Sequence, residues 1–439
     1  METTIGVGLL GLGTVGTGIV NILQSPEGRN PLVSKVELIS VAVSDLNKPR
    51  DTSIPKSKLT QNPLEVIENP SVQIVIEVIG GIEPARSLIL RAINLGKSVV
   101  TANKAVIARH GDEIAEAAKR AGVYVLIEAA VGGGIPIIEP LKQSLGSNRI
   151  KKVSGIINGT TNYILSRMEK EGSAYKEVLK DAQNLGYAEA DPAADVEGLD
   201  AADKIAILSG LAFGGAINRE KISTEGISQL KSRDIDYAER LGYRIKLLAV
   251  AENLNFLNKK EMTSAPLALW VEPTLVPAEH PLAGVNGVNN AILIEGDPIG
   301  EVMFYGPGAG AGPTASAVVA DILNIAGVQI MSKGITSLDP LLSSSSWRKC
   351  HLVESSEIVQ KSYVRLITED SPGVIGSIGN IFGENKVSIQ SIVQFDASES
   401  GAEIVVITHQ GKKGEITDSI STITKLSEVK TLEAHMGCL

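Results

Sequence analysis

Six residues near the start of the chain, Gly11-Leu12-Gly13-Thr14-Val15-Gly16, restrict the fold more than any others. They follow a continuous apolar run, IGVGLL at 5–10. They open a segment of helical character, from about Thr14 to Gln24. The spacing GxGxxG is weak evidence by itself, but between a buried strand and a helix it has a specific use. Gly11 permits a tight turn. Gly13 lets backbone approach a pyrophosphate, and Gly16 lets helix and strand pack closely. The free N–H groups of the first helical turn, at Thr14 and Val15, then face phosphate oxygens. A glycine turn that binds nothing is the competing reading.

The next segments repeat the alternation. VELISVAV (36–43) and VQIVIEVIG (72–80) read as strands, and ARSLILRAINLG (85–96) as a helix. A strand at 98–102, a helix at 104–121 and a strand at 123–129 follow. Near-continuous apolar strands are covered on both faces, which implies a parallel sheet. Residues 1–130 are therefore expected to form a Rossmann-type, doubly wound α/β domain. VGGGIP (131–136) ends the pattern. Residues 131–306 read as a second, α+β domain. It has a strand at 151–159, helices near 160–171, 174–185 and 199–214, and strands at 245–252 and 268–276. A second glycine turn, GPGAGAG from 306, leads into a helix that returns the chain to the first domain (307–345). The Ser-rich stretch 337–346 reads as a linker. Residues 360–439 run β-α-β-β-α-β, a ferredoxin-like order, and read as a small appended module.

Composition excludes several classes. The net charge of -9 leaves no basic face for nucleic acid. Two cysteines, Cys350 and Cys438, make neither a disulfide framework nor a metal spacing, and the five histidines are scattered. No leader precedes the first strand, and no apolar run reaches the ~18 residues of a membrane span. A cytoplasmic protein in a reducing compartment is the expectation.

Candidate site residues gather in four places. Asp45 ends the second strand, where an acid binds the adenine ribose hydroxyls. An ordinary turn aspartate is the alternative, and Lys48 or Arg50 would instead pair with a ribose phosphate. Lys104 lies just past the strand 98–102, at the end where such sheets bind ligands. Asp200 and Lys204 are four apart and share a helix face. An exposed ion pair is the plain reading, yet Ile207, Leu208 and Leu211 lie on nearly the same face. A lysine there is partly buried, and a buried ammonium requires a partner. Glu128, with Val131, Gly133 and Ile135, sits in a glycine-rich turn suited to a cation bound through oxygen. From the residues alone, a tight interdomain turn without an ion is the simpler reading. In the last module, Asp370-Ser371-Pro372-Gly373-Val374 is either a helix cap or a set of N–H groups for an amino-acid carboxylate.

Taken together, GLGTVG (11–16), TANK (101–104), EAAVGGGIP (128–136), NGTTNYIL (158–165), GYAEADPAADVEGLDAADK (186–204), GAGAGPTASAVVADI (308–322) and DSPGV (370–374) resemble the homoserine dehydrogenases that carry a C-terminal ACT domain. The resemblance covers essentially the whole chain. It implies an NAD(P)-dependent oxidoreductase acting on a CH–OH group, which interconverts L-aspartate 4-semialdehyde and L-homoserine in threonine, methionine and isoleucine biosynthesis. It implies Lys204, Lys104 and Asp200 as catalytic residues, and Glu189, Asp200, Lys104 and Thr160 as substrate-binding residues. The cofactor set would be Gly11, Gly13, Thr14, Val15, Gly16, Asp45, Arg50, Gly80, Lys104 and Gly308. The Glu128 side chain and the carbonyls of Val131, Gly133 and Ile135 would hold sodium or potassium. L-threonine would be the ACT effector, and the assembly a homodimer or homotetramer. Ser44 and Asp45 stand where many members carry a basic residue, so the choice between NAD and NADP stays open. Two other readings compete. Another ACT-bearing dehydrogenase would need a different catalytic set, and a cofactor-sensing regulator would need a degraded site or a basic surface.

Overall fold

The computed structural model describes residues 4–50, 53–257, 264–332, 349–398 and 401–439. The first unit is a parallel sheet of β1 (Ile5–Leu10), β2 (Val36–Ala42), β3 (Leu59–Thr60), β4 (Ile74–Glu77), β5 (Ser98–Thr101) and β6 (Val125–Leu126). The strands lie in the order β3-β2-β1-β4-β5-β6. Chain direction across the sheet reverses between β1 and β4, and a crevice opens at their carboxyl ends. Alternation along β4 separates two cores. Ile74 and Ile76 pack toward Ile19 and Val20 of α1 (Thr14–Gln24), while Val75 packs toward Ile89 and Ile93 on the opposite face. The strands expected at 72–80 and 123–129 are shorter than read. β4 ends at Glu77, whose carboxylate accepts the N–H groups of the following loop, and β6 gives way to a 3-10 turn at Glu128–Ala130.

The helix Ala311–Ser332 lies against α1. The fit is close: a Cβ on Gly18 would come within 2.9 Å of both Ala311 O and the Ala315 Cβ. This helix corrects one expectation. Residues 311–330, at mean hydropathy 1.3, are long and apolar enough to cross a membrane by length and composition. Thr314, Ser316, Asp321 and Asn324 interrupt the apolar run and conceal it in the sequence. Ala315, Val318, Ile322 and Ile325 are buried in the dinucleotide-domain core, which is the role the structure gives the helix.

The second unit is built on a sheet ordered Gly300–Pro307, Asn289–Asp297, Arg149–Ile156, Tyr243–Asn253, Ser264–Pro277. The first two strands form a hairpin that the sequence reading missed. Helix Leu199–Phe213 packs its apolar face on this sheet, placing Ile205 and Leu208 in one core with Leu247, Ala249 and Val271.

The C-terminal strands and helices follow the expected β-α-β-β-α-β order: Val359–Thr368, Val374–Glu384, Ile389–Ser398, Gly401–Thr408, Lys413–Ile423 and Val429–Cys438. The module is not simply appended, however. Its last strand pairs in parallel with Ser264–Pro277, through Thr274 with Gly437 and Leu275 with Cys438. One twelve-stranded sheet therefore spans both units. In Val359–Thr368, Val364 and Leu366 face the module's own helices, while Tyr363 joins the core of the second unit. Arg365 also turns that way and meets Asp234 of helix Ser232–Arg240 at 2.6 Å, with both side chains almost fully buried. Glu403 and Glu433 lie 3.5 and 3.8 Å from the same guanidinium. Tyr237 stacks on Phe395 with ring centroids 4.2 Å apart. The stretch read as a linker, 337–346, lies outside the described residues.

Candidate active site

The three glycines of the first turn differ in their surroundings. Gly11 has φ +102°, and a Cβ there would meet Val78 O at 2.9 Å. A Cβ on Gly16 would meet Gly11 O at 2.3 Å, so only glycine lets helix and turn touch. Gly13 has open space on its Cβ side. It precedes α1, and no side chain caps the helix start. The first-turn N–H groups at Thr14 and Val15 thus face an open position, and the donor set suits a pyrophosphate.

At the end of β2, Asp45 accepts the Asn47 N–H at 2.8 Å and shapes the turn. Arg50 folds back onto that turn, donating to the carbonyls of Lys48 and Asp45. Gly80, with φ +84°, belongs to the loop after β4. Gly308 is wedged between two groups: its Cβ would lie 2.0 Å from the buried Asn290 amide, and a Cβ on Gly133 would lie 2.5 Å from Gly308 O.

One crevice residue escaped the sequence reading. Glu77, fully buried at the carboxyl end of β4, accepts N–H bonds from Ile79 and Gly80 and a hydroxyl bond from Thr101. The only signal was an acid closing an otherwise apolar strand.

Lys104 opens the helix Lys104–Ala121, and Asn103 caps it by accepting the Val106 N–H at 3.2 Å. This start aims Lys104 across the crevice, where it pairs with Asp200 Oδ1. Lys204, one turn along the helix from Asp200, pairs with Asp200 Oδ2 at 2.7 Å and donates to Ile157 O at 2.7 Å. The Asn158 amide donates to Asp200 Oδ2 at 3.0 Å and to Asp195 Oδ1 at 2.7 Å. A single carboxylate therefore bridges two lysines. The lysine side chains differ in exposure, 42% for Lys104 and 10% for Lys204.

Their proton affinities separate accordingly. Burial pushes the Lys204 pKa below the ordinary lysine value, against the pull of Asp200. Burial also opposes charge on Lys104, but Asp200 outweighs it and holds the pKa above the ordinary value. Burial disfavours charge on Asp200 too, yet the two lysines overcome it and hold the carboxyl far below its usual range. Burial raises the pKa of Asp195. The arrangement thus favours charge on Lys104 and disfavours it on Lys204.

Other candidates are placed differently. Thr160 donates to Tyr187 O at 2.7 Å, at the rim of this centre. Glu189 is exposed, and its carbonyl rather than its carboxylate is engaged, by Gln183. It is not drawn into the lysine cluster; Asp195 is the acid that lies there. Asp203 bonds Arg109 at 3.1 Å and Arg219 at 2.6 Å, bracing the Lys104 helix against the second unit. A cavity of about 470 Å³ lies between the same two helices, yet neither lysine lines it.

The Glu128 carboxylate accepts backbone N–H bonds from Ile137, Ile138 and Glu139 at 2.6–2.8 Å, capping the short helix that begins there. Both oxygens are engaged as a helix cap. Val131, Gly133 and Ile135 form the adjoining loop, with Gly132 and Gly133 at positive φ. For a cation this leaves a set of backbone carbonyls beside a committed carboxylate. Asp321 accepts the Glu128 N–H at 2.9 Å, and burial raises its pKa well above the usual value.

Comparison with known proteins gives matches over nearly the whole chain. Residues 11–128 match the model for the homoserine dehydrogenase NAD-binding domain, 136–323 that for homoserine dehydrogenase, and 362–427 that for the ACT domain. A homoserine dehydrogenase of Synechocystis sp. is 54% identical over 436 residues, covering 99% of this chain and 100% of that protein. One from Bacillus subtilis is 40% identical, covering 98% and 97%. The crystal structure of a homoserine dehydrogenase from Thiobacillus denitrificans superposes with a TM-score of 0.90 at 40% identity, covering 99% and 98% of the two chains. A hyperthermophilic archaeal homoserine dehydrogenase in complex with NADPH superposes with a TM-score of 0.60 at 27% identity, covering 73% and 97%.

Proposed function

The chain belongs to the homoserine dehydrogenase family and is an NAD(P)-dependent oxidoreductase of that kind, and on that premise we propose that Lys204, Lys104 and Asp200 handle the proton as L-aspartate 4-semialdehyde and L-homoserine interconvert. The supporting observation is the single buried carboxylate shared by two lysines of unequal exposure. When bound, the dinucleotide supplies or accepts the hydride at the substrate carbon. In reduction, negative charge grows on the aldehyde oxygen, and the Lys204 ammonium stabilises it and delivers the proton. In oxidation, Lys204 must first be neutral, which its burial favours. Lys104 stays charged and holds the substrate oxygen in place. Glu189 and Thr160 line the open side and receive the substrate's α-ammonium. Gly11, Gly13, Thr14, Val15 and Gly16 hold the pyrophosphate, and Asp45 and Arg50 the adenosine ribose.

The reading extends to regulation and assembly. A sodium or potassium ion would bind the carbonyls of Val131, Gly133 and Ile135, with Glu128 fixing the loop as a helix cap. L-threonine would bind near Asp370–Gly373, where helix Val374–Glu384 starts without a side-chain cap. The working form would be a cytoplasmic homodimer or homotetramer at the branch toward threonine, methionine and isoleucine.

The test is homoserine-dependent reduction of NAD and NADP at alkaline pH by Lys204→Ala. Turnover is expected to vanish while cofactor binding persists, because the crevice glycines are untouched. Full activity in that variant would sink the mechanism.

A further inference from the structure

We propose that Glu77 is a positioning residue that locks the cofactor-side loop to Lys104 through one closed circuit of hydrogen bonds; the inference rests on the role given to Lys104 above. Glu77 is fully buried and stands directly opposite Thr101 in the pairing of β4 with β5. Its Oε1 accepts the N–H groups of Ile79 at 2.8 Å and Gly80 at 3.3 Å. Its Oε2 accepts the Thr101 hydroxyl at 2.6 Å. That hydroxyl accepts the Asn103 N–H at 3.0 Å. The Asn103 amide donates to Gly81 O at 2.7 Å, and its oxygen caps the helix that Lys104 opens. The circuit runs from the loop 78–81 through Glu77, Thr101 and Asn103 and back to the loop.

The choice of residue argues for function. A carboxylate buried among neutral donors is a costly way to end a strand, because the charge gives up its hydration. What the carboxylate adds is three acceptor bonds shared between two loops. With them, Gly80 and the first turn of the Lys104 helix move as one piece. The loop beside the cofactor and the lysine beside the substrate are thereby held in a fixed relation, which is what hydride transfer between two bound molecules demands. Glutamine offers one acceptor oxygen and turns an NH2 toward a second donor, so it preserves only part of the circuit.

The test compares Glu77→Gln, Glu77→Ala and Thr101→Val with the wild-type enzyme, using Lys104→Ala as the reference. Fluorescence titration gives the dissociation constant for NADPH without substrate. Steady-state kinetics give kcat, the KM for homoserine and the pH profile of kcat. Thr101→Val cuts the circuit between Glu77 and Asn103 and leaves the bonds to Ile79 and Gly80. It is expected to bind NADPH as before, to lose about 10–100-fold in kcat, and to shift the pH profile. Glu77→Ala is expected to lose both NADPH affinity and kcat, and Glu77→Gln to fall between that variant and wild type. Folded Thr101→Val with wild-type kcat and pH profile would overturn the proposal. So would a fall in active-site concentration with an unchanged profile, since that is all a purely structural role predicts. A fully active Lys104→Ala refutes the Lys104 reading separately, while NADPH binding by the Glu77 variants still tests the loop half of the circuit.

Discussion

Replacing Arg365 with methionine asks whether the C-terminal sheet and the second unit are held together by charge. The guanidinium faces three carboxylates, and each has different reserves. Glu403 retains Arg233 at 3.2 Å and the Tyr237 hydroxyl. Glu433 retains Lys231. Asp234 keeps only the Lys231 N–H at 3.1 Å, and it is the most deeply buried of the three. Stranding a buried charge by removing its partner costs about 3–5 kcal/mol, so Arg365→Met should cost that much, chiefly through Asp234. Asp234→Asn leaves Arg365 between Glu403 and Glu433 and should cost about 1.5–3 kcal/mol, near that of one charged hydrogen bond. The double variant should cost less than Arg365→Met alone, because no charge is then stranded at Asp234. Urea unfolding followed through Trp270, buried in the strand that the C-terminus joins, reads all four species. Equal costs for the two single variants, or a double variant equal to their sum, would refute the reasoning.

Three further outcomes follow from the geometry. Asp200 raises the Lys204 pKa, so Asp200→Asn should lower it further. The rising limb of kcat/KM for homoserine oxidation should then move to lower pH while the rate falls, and a limb that stays or moves upward would contradict the shared-carboxylate reading. Gly308→Ala should destabilise by about 1–3 kcal/mol and weaken NADPH binding, since its Cβ has no room beside Asn290. Gly312→Ala, with open space, serves as the control, and equal melting temperatures for the pair would count against the packing argument. Burial lowers the His435 pKa to about 4, against about 6.5 unfolded. The folded state binds fewer protons, so stability present above pH 6.5 is lost as pH falls toward 4. At about 1.4 kcal/mol per unit, discounted for partial exposure, the loss is about 2 kcal/mol. Comparing urea midpoints at pH 7 and 4.5 should show a smaller drop in His435→Gln than in wild type; equal drops would assign the acid sensitivity elsewhere.

The legible parts of the sequence were those where local rules act. Gly11 and Gly16 each have a separate steric reason that the structure shows within one turn, while the Cβ side of Gly13 is open. Lys204 was readable because a four-residue spacing and an apolar face both constrain it. Glu189 entered only through the resemblance; in the structure it is exposed, and Asp195 is the acid that shares Asn158 with Asp200. Glu77 was invisible because its partners, Thr101 and Asn103, are brought to it by strand pairing. The joined sheet was hidden for the same reason: Thr274 and Gly437 are far apart in the chain, and neither carries a pairing signal. The Glu128 carboxylate shows a finer limit. Its place beside the glycine loop was readable, but its use as a cap depends on where helix Ile138–Lys142 begins.

The pairing of Ser264–Pro277 with Val429–Cys438 also bears on synthesis. The outer edge of the earlier strand is covered in turn by Lys349–Leu352, by Ser223–Thr224, and by the final residues, with the Leu439 N–H reaching Leu275 O at 3.0 Å. On a ribosome, the catalytic half emerges long before its sheet can be closed. An open edge invites pairing with neighbouring chains. A chain lacking the strand Val429–Cys438 would keep Lys104, Asp200 and Lys204 and still expose that edge, and so would tend to aggregate. Pairing of Thr274 with Gly437 and of Leu275 with Cys438 closes that stretch of the edge.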